Sequence, residues 1–265
     1  MINEVVDLIE RMKDSDLSEL DIITWGSPVP SFGNLSISRL ATLGLNPSNK
    51  EFLDDAGSEL SGFERRFHTL NSLGITDWDE ATFDHYQSIL NLCNEYFSRN
   101  PYDAWFKRLD YLISGTALSY YFPSSEACHL DLIPFATSTK WGELSNWQRS
   151  TLLNRYSDLL GALLKNSKIK VLVLNGKSVI DNFLKISNAE IEVERMQDWD
   201  LPRKESTAVP GYAYKGYVTN VGGIDLNNNV HIFGFNHNIQ SSYGVTTAVQ
   251  LSMRNWITTN VLSVI

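Results

Sequence analysis

Cysteine is almost missing from this chain: Cys93 and Cys128 are the only two in 265 residues. That is too few for a disulfide framework, a four-cysteine zinc site or an iron-sulfur cluster, and packing is their expected role. No stretch approaches the ~18 consecutive apolar residues of a membrane span. The acidic opening "MINEVVDLIERMKDSD" has the character of neither a signal nor a transit peptide. A cytoplasmic protein with no membrane attachment is expected. Positive charge is also scarce, with 22 Lys and Arg against 31 Asp and Glu and a net charge of -9. Phosphate contacts need cations, so this balance argues mildly against nucleic acid. The average hides local patches at Arg65-Arg66, Lys165 to Lys170 and Arg203-Lys204, each of which reads most simply as a solvated face.

Repeats, low-complexity segments and shifts of composition are lacking too. With 43% hydrophobic residues the chain can bury a large core, so 1–265 is expected to form a single domain. Strand-like apolar runs alternate with helical periodicity. Helices are expected over 3–12, 60–72, 80–98, 103–118, 146–165 and from Gly244 to Val261. Strands are expected at "RLATLGL", "ACHLDLI", "IKVLVLN" and "NVHIFGF". The buried run "IKVLVLN" suits the centre of a parallel sheet. The fold class is α/β, a three-layer sandwich around a central, mostly parallel sheet of about four strands.

Ligands of such sheets bind at the carboxyl ends of the strands. There the chain is polar: Asn46 follows "TLGL", His129 and Asp131 share one face at the end of "HLDLI", Gly176-Lys177 follow "VLVLN", and Asn236-His237-Asn238 follow "HIFGF". Each has a bland explanation. Asn46-Pro47 can open a turn, His129 can be a half-buried core histidine, and Asn236 with His237 can cap a loop. Together they describe one site at one sheet edge. A phosphate-binding loop at "LNGKS" is excluded, because the glycine-rich cradle before Gly176 is missing.

"GLNPS" at Gly44 to Ser48, "HLDLIPFAT" and "FNHNIQSSYG" resemble, in order and spacing, the three motifs of the uracil-DNA glycosylase superfamily, the first in its Gly-x-Asn-Pro form. The third departs from the family pattern, with Asn238 and Ile239 in place of Pro and Ser. The resemblance implies a uracil-DNA glycosylase-like fold and a monofunctional DNA glycosylase that needs no cofactor and no metal. Its partner is DNA with a flipped base. Breaking a base-sugar bond calls for a held water on one side and a donor to the departing base on the other. Asn46 and His237 are the expected catalytic pair. Gly44, Leu45, Pro47, Ser48, Phe52, His129 and Asp131 are expected around the base, with Phe52 as the stacking ring and Phe63 or Phe67 as alternatives. The loop "WGSPVPSFGN", through Ser27, Pro28 and Ser31, is expected at DNA phosphates, with an ordinary turn as its alternative. Lys177, Asn238, Gln240 and Ser241 are expected at the same DNA face, and Lys177 is the lysine placed near the site. The segment "QDWDLPRKESTAVPGYAYKGY" forms a strand-contacting lip or an exposed hairpin.

Base choice turns on two positions. The family reads uracil with an asparagine where this chain has Asp131, and a carboxylate accepts from the exocyclic amine of cytosine instead. Ser48 stands where classical uracil enzymes carry a tyrosine that blocks the fifth pyrimidine position. Both point to a cytosine modified at that position, hydroxymethylated or glucosylated as in some phage DNA, and so to antiviral defence. Uracil or damaged-base repair, a catalytically silent nucleic-acid-binding relative, and a nucleotide N-glycosidase are the alternatives.

Overall fold

The computed structural model describes residues 1–99, 103–203 and 207–265. Its strands are β1 (Leu40–Gly44), β2 (Ala127–Asp131), β3 (Val171–Asn175), β4 (Glu190–Leu201), β5 (Val209–Val221) and β6 (Ile224–Phe235). They form one mixed sheet in the order β2-β1-β3-β6-β5-β4. The first four in that order run parallel, and β5 and β4 continue from β6 as antiparallel strands. The parallel part matches the four apolar runs of the sequence, and every residue of β1, β2 and β3 is buried.

The sheet is two strands wider than expected. β4 and β5 carry no continuous apolar run, because much of their length is exposed: Glu190, Glu192 and Glu194 alternate along β4. Such charges suit an outer strand, whose free backbone groups would otherwise invite another chain. Part of the segment expected as a lip, with Lys204 of the expected basic pair, falls at 204–206, outside the described residues.

The helices are α1 (Ile2–Arg11), α2 (Leu70–Leu73), α3 (Phe83–Asn94), α4 (Asp103–Ile113), α5 (Asn146–Lys165), α6 (Lys177–Lys185) and α7 (Thr247–Leu262). On the sheet, α5 packs against β5 and β6, with α1 against α5. α7 packs against β4 and β6, with α4 against α7. None of the helices is long and apolar enough to cross a membrane, among the described residues.

Two stretches differ from their periodicity. The helix expected over 60–72 is a 3₁₀ turn at Gly62–Glu64 followed by extended chain and the short α2. Gly62 takes φ +55, Arg65 is extended, and the Thr69–Ser72 capping box starts a new helix at Leu70. The apolar stripe of "GFERRF" is therefore split: Phe67 is buried and Phe63 is fully exposed. Conversely α6, which was not expected, starts directly behind Gly176, whose φ of +96 turns the chain out of β3.

The segment from Trp25 covers the outer edge of the sheet. Phe32 and His129 of β2 exchange backbone hydrogen bonds of 2.9 Å in each direction. Behind them Phe32, Phe67, Tyr96, Phe97, Phe106 and Tyr120 form an aromatic cluster in which edge-to-face contacts join two stacked pairs, Phe67 on Tyr96 and Phe97 on Tyr120.

Candidate active site

β1 stops where its next partners are no longer strand residues. Gly44 and Leu45 still accept from Leu132 N and Ile133 N, both at 3.1 Å, before Pro47 removes a donor and turns the chain. The Ser48 hydroxyl then caps a 3₁₀ turn, Asn49–Glu51, accepting from Lys50 N at 3.2 Å. This turn, the end of β2 and the loops after β2, β3 and β6 enclose a cavity of about 230 Å³.

Asn46 stands on its wall in a fixed orientation. Thr137 spends its proton on Thr139 O at 2.7 Å, so its oxygen can only accept, and Asn46 Nδ2 donates to it at 2.9 Å. The same nitrogen faces Pro47 O at 3.2 Å and Phe135 O at 3.4 Å. With the nitrogen committed, the amide oxygen is left without a protein donor among the described residues. It is an acceptor able to orient a water.

Across the cavity stand His129 and Asp131, both buried, with Nε2 and Oδ1 3.5 Å apart. His129 Nδ1 meets Thr42 Oγ1 at 2.6 Å, and that hydroxyl also meets the Tyr120 hydroxyl. One direction of protons satisfies the whole chain: Tyr120 donates to Thr42 and Thr42 to Nδ1. The reverse would leave the buried Tyr120 proton without an acceptor. The imidazole therefore keeps its proton on Nε2, on the cavity side. At 3.5 Å its bond to Asp131 is too long to be a good one, so this N–H has room to serve another acceptor.

A third ionisable group lines the cavity. Glu51 is 3% exposed, and its Oε2 accepts from the Tyr96 hydroxyl at 2.8 Å with Arg66 Nη1 at 3.8 Å. Burial pushes its carboxyl up to about 7, although Arg66 pulls the other way. Aromatic walls come from Phe32, Trp105, Phe106 and Trp141, and Lys140 stands exposed on the same wall. Gly44 is the floor. A Cβ there would lie 2.3 Å from Asp131 Oδ1 and 2.8 Å from His129 Nε2.

Of the expected base contacts, Gly44, Leu45, Pro47, Ser48, His129 and Asp131 line the cavity with Asn46. Phe52 does not. It is buried behind the turn, edge-on to Trp25 and against Gly26 and Phe67, so it offers no face to a ligand. The aromatic residues that do line the cavity are Phe32, Trp105, Phe106 and Trp141.

His237 is not in the cavity either. It is 3% exposed and its Nε2 donates to Trp199 O at 2.8 Å, while burial lowers its basicity. Its neighbour Asn236 accepts from Tyr212 N at 2.8 Å. The hairpin strands β4 and β5 thus claim both residues, and the donor in the cavity is His129.

Ser27, Pro28 and Ser31 are buried, because the loop that carries them covers the sheet edge; as folded, it presents no surface to a phosphate. Lys177 pairs with Asp181 at 2.8 Å on a neighbouring depression, and the lysine on the cavity is Lys140. Asn238 does line the cavity, with its Oδ1 accepting from Gln240 N and Ser241 N, both at 3.0 Å. Gln240 holds Asn175 through its Oε1 at 2.8 Å, and Ser241 is exposed.

On the far side of Glu51, Arg66 and Tyr96 also line a groove of about 680 Å³. Lys50, Arg65, Arg99 and the exposed Phe63 stand on it, with Asp54, Asp55 and Glu64 among them. Arg65 Nε and Arg99 Nη1 are buried without a hydrogen-bond partner among the described residues. Glu51, Thr42, Tyr120 and Trp105 were not anticipated from the sequence. Glu51 alone left a signal there, as the acidic residue closing the turn that Asn46-Pro47 opens.

Among the described residues no group of three or more His, Cys, Asp or Glu is arranged to hold a metal ion. No protein-family model matches the chain, and no curated protein matches it.

Proposed function

We propose that the cavity receives a base extruded from a DNA strand and that the protein hydrolyses the bond between that base and deoxyribose, leaving an abasic site. The observation that carries this reading is Asn46, an amide clamped through its nitrogen with its oxygen unclaimed, opposite a donor and a carboxylate at the carboxyl ends of parallel strands. As C1′–N1 breaks, positive charge grows on the sugar and negative charge on the base. Asn46 Oδ1 orients the attacking water, whose oxygen bonds to C1′ and whose proton leaves to solvent. His129 Nε2–H, in the role expected of His237, donates to the departing base. The resemblance of "GLNPS" and "HLDLIPFAT" to uracil-DNA glycosylase motifs points the same way, and the six-stranded sheet is compatible with the three-layer fold of that superfamily.

The preferred base is a cytosine carrying a substituent at its fifth position. Asp131 accepts from the exocyclic amine, and the small Ser48, exposed on the cavity wall, leaves space for the substituent. The strand would follow the groove beside Glu51, which Arg65 and Arg99 line with positive charge and where the exposed Phe63 offers an apolar wedge beside the vacated base.

The test is incubation with DNAs containing uracil, cytosine, 5-hydroxymethylcytosine or its glucosylated form, followed by alkaline cleavage of abasic sites. Cleavage is expected for the modified cytosines. Release of uracil alone would return the protein to uracil repair, and no release from any DNA would remove the glycosylase reading. The net charge of -9 favours one other reading, hydrolysis of a small nucleotide. That enzyme needs no flipped base, so it would ignore DNA carrying an abasic analogue.

A further inference from the structure

Two buried carboxyl groups, Glu51 and Asp131, line one small cavity, from the 3₁₀ turn and from the end of β2. They are close enough for a charge on Asp131 to push on Glu51. Two like charges in a desolvated space are not both ionised at low cost, and the stable state of such a pair holds one proton.

The contacts decide where that proton sits. His129 Nε2–H faces Asp131 Oδ1 as a donor across 3.5 Å, which favours the charge on Asp131 and the proton on its neighbour. Glu51 has no imidazole donor against it: its Oε2 takes the Tyr96 hydroxyl, and its Oε1 has no hydrogen bond of its own among the described residues. Arg66 Nη1, 3.8 Å away on the side of Oε2, is the one cation within 4 Å of the pair among the described residues. Lys50, next in the chain, is turned to Asp55 at 3.0 Å, and Lys140 faces the cavity from the loop after β2.

We propose that Glu51 is held as a neutral acid whose Oε1–H donates into the cavity, and that with the Asp131 carboxylate it forms a subsite for a base edge that sets an acceptor ring nitrogen beside an exocyclic amine. Cytosine presents that edge through N3 and N4. Uracil presents a ring N–H there, a donor facing a donor. This inference rests on the glycosylase reading and deepens it by naming the edge recognised and a second residue that reads it. Burial raises the Glu51 carboxyl to about 7, so the donor is lost as pH rises through neutrality.

The test is the binding of free 5-hydroxymethylcytosine and free uracil by calorimetry between pH 5.5 and 8.5, on the wild-type protein, Glu51→Gln and Glu51→Leu, with thermal melts to check folding. Wild-type affinity for the cytosine base is expected to fall about tenfold for each pH unit above 7. Glu51→Gln should bind without that fall, because its oxygen must serve Tyr96 and its amide N–H₂ then faces the cavity at every pH. Glu51→Leu should bind weakly throughout, and if it fails to fold, Glu51→Gln alone decides. A Glu51→Gln profile that keeps the wild-type fall overturns the subsite, as does a preference of the wild-type protein for uracil, or no binding of the cytosine base at pH 6. Base release from DNA by the wild-type protein is scored separately. Release with no effect of Glu51 substitutions sinks the subsite alone, and pH-dependent base binding without release from DNA sinks the glycosylase reading alone.

Discussion

Gly44 has no side chain because Asp131 and His129 occupy the space one would need. Gly44→Ala puts a methyl group 2.3 Å from the carboxylate and 2.8 Å from the imidazole, and β1 is too tightly paired on both sides to give way. Displacement by ~1 Å of groups that must meet a transition state costs on the order of 10²-fold in rate. Single-turnover base release should fall by that factor, and the melting temperature should drop by a few degrees, because overpacking a buried site costs about 1–3 kcal/mol. Asn46→Ala should reduce base release by on the order of 10²-fold or more while DNA affinity persists, since its oxygen acts on water in the transition state. Wild-type turnover in that variant would take Asn46 out of the mechanism. The two histidines should separate. His129→Ala should slow release by on the order of 10²-fold, whereas His237→Ala should lower the melting temperature, because it strips a buried carbonyl at Trp199 of its donor. A pattern with the two effects exchanged would restore the third sequence motif to the chemistry.

At the level of elements, the 3₁₀ tip Gly62–Glu64 is the most exposed apolar feature beside the site, and Phe63→Ala tests it. Release from double-stranded DNA should slow roughly tenfold or more, because a duplex must be opened and the gap filled. Release from single-stranded DNA should be unchanged. Equal effects on both would show that Phe63 does not wedge a duplex. The same tip shows what the sequence could and could not reveal. β1, β2 and β3 are buried on both faces, so their apolar runs are continuous and readable, and Asn46, His129 and Asp131 followed from the strand ends. β4 and β5 have an exposed face and no such run; their segment reads as a lip or an exposed hairpin and not as part of the central sheet, and that had a consequence at the site. Trp199 O, near the end of β4, and Tyr212 N, in β5, take His237 and Asn236. A motif spaced from the end of β6 cannot reveal that a neighbouring strand has already claimed its residues. Glu51 escaped for another reason: its role depends on Tyr96 and Arg66, distant in sequence and brought to the turn only by folding.

For the whole molecule, buried titratable groups give stability two opposing slopes in pH. Glu51 holds its proton up to about 7, whereas an unfolded carboxyl gives it up near 4.5. The folded state therefore binds more protons across that window, and stability falls as pH rises through it. His68, pushed down to about 4 by burial with Arg65 and Arg99 adding, behaves oppositely, as does His237, lowered by burial. An unfolded histidine takes up its proton near 6.5, so stability falls as pH drops below that value. Melting temperatures of Glu51→Gln relative to the wild type should rise by several degrees between pH 5 and pH 8. A constant difference across that range would mean that the Glu51 carboxyl does not titrate there.

The parallel half of the sheet has a consequence for how the chain is made. Leu40 pairs with Ala127 and with Val171, and Val171 pairs with His231, so each closure spans tens of residues and none can be made by a local turn. During synthesis β1 must wait, apolar and unpartnered, until β2 and β3 have been translated, and β3 must wait for β6 near the end of the chain. A ribosome stalled before Ile224 therefore holds five translated strands, β1 to β5, without β6, the strand that joins the parallel part of the sheet to the antiparallel part. Such a nascent chain is a ready client for a chaperone that shields apolar segments, and its yield should depend on translation speed through residues 171 to 235 more than on any single side chain.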